Sequence, residues 1–173
     1  MKPLDVQLVK VFCGILWSND QCLEQALGQC RETFGPIDFE SPDLPFDVTD
    51  YYVPEMGTPI FRRFVSFEPL RDPGGLADWK LKTNAIEERL QQNDNRRVNL
   101  DIGYLDYDKV VLASAKYNGQ KVYIGDGIYA DLTLHYSKGG FEPFPWAFPD
   151  FRDGRYDAFL LEIRRRYKLE VKS

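Results

Sequence analysis

Histidine is nearly missing from this chain. His135 is the only one, so a zinc site built on several histidines is excluded. Cysteine is almost as scarce: Cys13, Cys22 and Cys30 show no Cys-x-x-Cys spacing. An odd count with no signal peptide favours a reducing compartment over a disulfide framework, and the expected location is cytoplasmic. No apolar run approaches the ~20 residues of a spanning helix, since Val6 to Trp17 is interrupted by Gln7 and Lys10. Positive charge is in deficit as well. Against 27 Asp plus Glu stand 22 Lys plus Arg, a net −5, which argues against a general binder of duplex nucleic acid. Neither Gly-x-x-x-x-Gly-Lys-[Ser/Thr] nor Gly-x-Gly-x-x-Gly occurs, so a P-loop nucleotidase and a Rossmann dehydrogenase have no support.

What is present is a chain of 173 residues, 43% of them apolar, expected to fold as a single domain over 1–173 with no metal or disulfide staple. Aromatics are plentiful: 3 Trp, 10 Tyr and 12 Phe. Tyr and Trp keep a polar end, so some of these rings are expected on a wet binding face. Arg164-Arg165-Arg166, the densest basic spot, falls beside the apolar stripe of a C-terminal helix and reads as a solvated flank.

Residues Leu8 to Trp17 read as a buried strand. Ser18-Asn19-Asp20-Gln21 has the form of a capping box for a helix whose stripe, Cys22, Leu23, Ala26, Leu27, Cys30 and Phe34, runs to Gly35-Pro36. Ile37 to Glu40 is a short strand. Ser41 to Pro59 reads as a long, packed loop, and loops of that length are usually functional. Phe61 to Phe67 is a strand ended by Glu68-Pro69, and Asp72-Pro73 opens a helix striped by Leu76, Trp79, Thr83, Ile86 and Leu90. A strand follows over Arg97 to Ile102, then a short helical stretch over Lys109 to Ala115. Val122 to Ile124 and Ile128 to Tyr136 flank Gly125-Asp126-Gly127 as a hairpin, and the final helix begins near Asp153. The order predicts an α+β fold: a ferredoxin-like βαββαβ core, extended by a C-terminal hairpin and a final helix.

Alternation along the strands sorts the polar side chains into rows. Arg62, Phe64, Ser66 and Glu68 share a face; Asn99 and Asp101 share another; Tyr129, Asp131, Thr133 and His135 a third. If the rows adjoin beneath the long loop, they form a pocket floor of both charge signs. If not, they face water, as one side of an antiparallel sheet commonly does. Lys80 and Asn84 sit one helical turn apart and read either as a solvated flank or as partners of Arg62 in holding an anion. Asp101, Asp131 and Glu68 are the candidate catalytic carboxylates, and Mg²⁺ is the cation their oxygens would suit, although no local metal spacing marks them. His135 with Asp101 or Asp131 would make a general base, but a lone strand histidine is more often a surface or packed residue.

Several segments taken together resemble one family: Phe34 to Ser41, Thr49 to Tyr52 with Glu55-Met56-Gly57, Arg62 to Glu68, Lys80 with Thr83-Asn84, Val98 to Leu105, Leu112 to Ser114, and Gly127 to Asp131. They are similar to the prokaryotic domain-of-unknown-function family 4416 over nearly the whole chain. Some members of that family carry the label GTP-binding protein, for which no P-loop is present here. The family pattern has Pro where this chain has Ile102, and a His-Arg pair near Gln120-Lys121, so any chemistry of that histidine is lost here. The resemblance also implies Asp50, Tyr52, Glu55, Arg62, Glu68, Lys80, Asn84, Asn99, Asp101, Tyr104, Tyr129 and Asp131 as its polar positions.

The function expected on these grounds is binding of a small anionic molecule, a phosphorylated metabolite or a nucleotide. Arg62 and Lys80 would hold the anion; Asn84 and Asn99 lie beside it; Glu68, Asp101 and Asp131 would position hydroxyls or a cation; Tyr52, Tyr104 and Tyr129 would pack on a ring. A protein-interaction or scaffold module built on the aromatic loop and Pro143 to Phe151 is the alternative, and a Mg-dependent hydrolase the third. Oligomeric state and substrate are not encoded in any recognisable pattern.

Overall fold

The computed structural model describes residues 1–173. It is a mixed α/β structure with nine strands in one antiparallel sheet and five α-helices. The elements run β1 (Val9–Trp17), α1 (Asp20–Phe34), β2 (Ile37–Glu40), β3 (Leu44–Pro45), α2 (Val53–Met56), β4 (Phe61–Arg71), a 3₁₀ turn (Pro73–Gly75) and α3 (Leu76–Arg89). They continue with β5 (Val98–Leu105), β6 (Lys109–Ser114), β7 (Val122–Gly125), β8 (Ile128–Ser137), β9 (Gly140–Pro143), α4 (Pro149–Arg152) and α5 (Asp157–Lys172). The sheet order is β2-β4-β1-β5-β6-β8-β7, with β3 beside β4 and β9 beside β8. No helix is long and apolar enough to cross a membrane.

Helices cover both faces of the sheet. On one face α1 and α3 press Leu23, Leu27, Trp79 and Ile86 against Val11, Ile15, Val65, Leu100 and Ile102. On the other, α4 and α5 press Phe151, Leu160, Ile163 and Tyr167 against Phe12, Phe64, Leu105 and Leu134. The central strand β1 is buried along its whole length, which is why its sequence, Lys10 apart, is apolar on both faces with no alternation. A third, small cluster of Leu16, Met56 and Ile60 anchors the 41–59 segment over one end of the sheet.

Five local expectations are corrected. Lys109 to Ala115 is not helical but strand β6, sandwiched between β5 and β8 and buried on both faces, so its Val-Val-Leu-Ala run carries no period to read. Helix α1 is capped by Asn19, whose side chain accepts from the Cys22 N–H; Ser18 instead donates to the Met56 carbonyl. Strand β4 does not end at Glu68-Pro69. It passes through an irregularity there and continues to Arg71, since a bulge is where a strand tolerates a residue without an N–H. The expected final helix is two: α4 ends, Gly154 takes a left-handed φ of 82°, and α5 starts at Asp157. Finally, alternation in β8 is broken. Between Leu132 and Leu134 the register against β6 shifts by one residue, so Leu134 joins Val110 in the α5-side core, while Leu132 packs on the opposite face.

Candidate functional site

Strands β5 and β6 pair only over Gly103–Leu105 and Val110–Leu112, and beyond that they part. Leu100 therefore has no strand neighbour on that side. Its carbonyl accepts from Lys80 Nζ at 3.0 Å, and its N–H donates to Glu87 Oε1 at 2.6 Å. Two side chains of α3 thus take the place of a missing ladder, because buried backbone groups must find partners somewhere. The parted strands open onto a cavity of about 580 Å³. Lys80, Asn84 and Glu87 line it from α3, Asn99 and Asp101 from β5, Leu112 to Ser114 from β6, and Asp131 from β8. Phe46, Tyr51 and Tyr52 of the 41–59 segment and Phe148 to Phe151 around α4 complete the wall.

Arg62 is the centre of a network that ties these walls together. It is 3% exposed. Its Nη1 donates to Asp101 Oδ2 at 2.7 Å and its Nη2 to Asp150 Oδ2 at 3.3 Å; Tyr156 donates to the same Asp150 oxygen at 2.7 Å. Asn99 donates to Asp101 Oδ1 at 3.1 Å, and Arg96 links Asn99 to Glu55 of α2. To reach Asp101 the guanidinium crosses β1 at Gly14, which pairs with Phe64 on one side and Asp101 on the other. A Cβ at Gly14 would stand 3.1 Å from Arg62 Nη1.

The electrostatics follow from this pairing. Burial opposes the Arg62 charge, but Asp101, Tyr156 and Asp150 outweigh it and raise its pKa above the ordinary guanidinium value. Burial likewise opposes ionisation of Asp101, and the charges of Arg62 and Lys80 overcome it, so that carboxyl lies below the usual range. Glu87 and Asp131 go the other way. Burial raises both, and Lys80 in one case and Lys121 in the other only partly offset it. Burial, with Asp101 adding to it, pushes the Tyr52 hydroxyl up to about 12.

Of the residues singled out from the sequence, Tyr52, Arg62, Lys80, Asn84, Asn99, Asp101 and Asp131 line this cavity. Three do not. Glu68 is exposed, six residues along β4 from Arg62, or about 20 Å of strand. Its neighbourhood is a second polar cluster, in which buried Lys10 bonds Asp38, Glu170 and the Glu68 carbonyl. Tyr104 lies on the opposite face, packed beside the α1 and α3 core, because residues 99, 101 and 103 alternate with it along β5. Tyr129 sits outside the cavity in a cluster of rings with Tyr117 and Tyr123. His135 is also displaced: the irregularity in β8 turns it away from Asp131 toward Glu142, 3.3 Å from Nε2, so neither proposed carboxylate partner reaches it. No group of three or more His, Cys, Asp or Glu side chains is gathered as for a metal ion.

Sequence reading missed Glu87, Arg96, Lys116, Lys121 and Asp150 in the wall. The Arg96-Arg97 pair before a strand and the acid inside Pro145-Trp-Ala-Phe-Pro-Asp150 were visible signals. Lys116 and Lys121 stand in a turn-rich stretch where lysine is unremarkable.

The fold and site define a mixed α/β protein with a charged cavity opened by a parted sheet. The chain belongs to the family described as domain of unknown function DUF4416, whose model matches residues 7–167. No curated protein and no solved structure matches it.

Proposed function

We propose that the cavity binds a small anionic organic molecule, with a phosphorylated metabolite or nucleotide as the chemistry that suits it best. The observation that carries the reading is the cavity itself. At about 580 Å³ it falls within the ~300–1,000 Å³ of small-molecule sites, and it combines aromatic walls with a few convergent charges. Phe46, Tyr51 and Tyr52 offer faces for a flat group, while Lys80, Lys116 and Lys121 offer positive charge.

The role of Arg62 changes on this reading. Held by two carboxylates and a tyrosine, it is a positioning residue that fixes Asp101 and the α4 segment, not the anion's own ligand. Glu68, Tyr104 and Tyr129 have no part in it. A Mg-dependent hydrolase gains no support from the arrangement of carboxylates. A protein-interaction surface has one specific observation in its favour: Trp146, Phe148, Val122 and Tyr123 are exposed apolar side chains, and a size measurement in solution tests it. The fold is read further as a ferredoxin-like βαββαβ unit made of β1, α1, β2, β4, α3 and β5. The antiparallel order β2-β4-β1-β5 supports this, with β6 to β9 as its extension in one domain.

The test is a thermal-shift screen with phosphorylated and carboxylated metabolites, repeated on Ala115→Trp. Ala115 is exposed and lines the cavity, so the indole fills the space without disturbing the core. Ligands that stabilise the native chain are expected to lose their effect in the variant. Equal shifts in both proteins reject the cavity as the site.

A further inference from the structure

We infer that the end of the cavity formed by Lys116, Lys121 and Asp131 is a subsite for a phosphoryl group on a hydroxylated carbon skeleton. The two ammonium groups hold the phosphoryl oxygens, and Asp131 accepts a hydrogen bond from a neighbouring ligand hydroxyl. The inference rests on the cavity reading above and adds the ligand's class and its orientation.

Three observations carry it. The Lys121 side chain is only 7% exposed, yet it has no carboxylate at hydrogen-bond distance: Asp131 Oδ2 is 4.0 Å away. Its bonds go to Ser114 Oγ at 3.0 Å and to the Lys116 carbonyl at 3.3 Å, which aim the ammonium without neutralising it. Lys116 has no carboxylate partner, donating to the Tyr51 hydroxyl and lying 4.9 Å from the centre of that ring. Arg62 and Arg96 elsewhere in the wall are, by contrast, both ion-paired.

The third observation is Asp131 Oδ1. It is buried and has no hydrogen-bond partner, on a residue 5% exposed. Such atoms are few in folded proteins, and each calls for an explanation. A donor arriving with a ligand supplies one.

Charge decides the class. Two ammonium groups, one with no carboxylate partner and one with Asp131 no nearer than 4.0 Å, match a phosphomonoester, which carries about −1.5 to −2 at neutral pH, better than a single carboxylate. Asp131 Oδ1 lacks a donor, and a hydroxyl on the ligand's carbon skeleton supplies one. Ser114 is a positioning residue that fixes Lys121 through its accepting oxygen.

The test is a titration of the ¹⁵N-labelled full chain with ribose 5-phosphate, inorganic phosphate and ribose, read by amide shifts. Ribose 5-phosphate is expected to move the amides of Ser114, Lys116, Lys121 and Asp131 and to bind more tightly than either fragment. Lys121→Ala and the exposed-site variant Lys116→Met should each weaken it about tenfold or more, the loss expected for a charged hydrogen bond. Asp131→Leu, which removes the charge and the acceptor together, should separate the two halves of the ligand. Inorganic phosphate should bind as well or better once a nearby negative charge is gone, while ribose 5-phosphate binds worse. Absence of any shift with both phosphates at millimolar concentration overturns the subsite, as does indifference to Lys121→Ala or a parallel response of both phosphates to Asp131→Leu. The cavity reading stands or falls separately, on whether Ala115→Trp blocks the ligands found in the screen.

Discussion

Substituting Gly14 by alanine tests how the site is assembled, because one added methyl group falls where the Arg62 side chain crosses the central strand. The new Cβ would lie 3.1 Å from Arg62 Nη1 and 3.1 Å from Phe64 Cε1. Neither neighbour is free to yield. The guanidinium is held by Asp101 at 2.7 Å and Asp150 at 3.3 Å, and the Phe64 ring is packed among Phe151, Tyr156 and Phe159. Overpacking of this kind costs about 1–3 kcal/mol. The stiffer unfolded chain returns about 0.4–1 kcal/mol. The net loss is centred on about 1.3 kcal/mol, or roughly 3–5 °C in Tm for a chain of this size. Urea denaturation followed by circular dichroism measures it. The same change made in an Arg62→Met background should cost at least about 0.5 kcal/mol less, since the pair in contact is then gone. An unchanged or raised Tm for Gly14→Ala, or equal costs in the two backgrounds, refutes the argument that this glycine exists to let the arginine through.

Asp101→Asn leaves buried Arg62 with one carboxylate fewer and is expected to destabilise the fold by about 3 kcal/mol at neutral pH. Because the folded pKa of Asp101 is lowered, its contribution is present above the unfolded carboxylate value and is lost as pH falls through the folded one. Native chain and variant should therefore converge in acid, and a constant gap in urea melts across that range would contradict the assignment. Glu87 has the opposite sign: its folded pKa is raised, so the stability it contributes is present below the unfolded value and lost as pH rises through the folded one. Glu87→Gln keeps an acceptor for the Leu100 N–H and should leave Tm at pH 7 unchanged or higher; a clear fall would mean that the ionised form is needed. Tyr156→Phe removes the bond to Asp150 and should cost about 1.5–3 kcal/mol, read as a lower urea midpoint, whereas an unaltered midpoint would detach α5 from the network.

Much of the architecture could be read from residue pattern. β1 announced itself as an apolar run broken only by Lys10, α1 by its stripe from Cys22 to Phe34, and the polar row of Asn99 and Asp101 by simple alternation in β5. Pattern failed where its assumptions failed. β6 is covered on both faces and so has no period, and the irregularity at Thr133 inverts every later side chain of β8, which moved His135 out of the site. Glu68 was misplaced for a different reason: a shared strand face says nothing of distance along the strand, and the cavity occupies only the Arg62 end. Lys116 and Lys121 were invisible because their place in the cavity wall, beside Tyr51 and Asp131, is a property of coordinates and not of residue type.

The bridging of Leu100 by Lys80 and Glu87 has an architectural outcome. Where two strands are zipped together, changing the width of the space between them means re-registering a ladder. Here the open edge of β5 is satisfied by two flexible side chains from a helix behind the sheet, and neither of them bonds β6. Shortening either one would bare a backbone N–H or carbonyl to the chamber while leaving every strand pairing intact, so the polarity of that wall is adjustable from two positions on one helix.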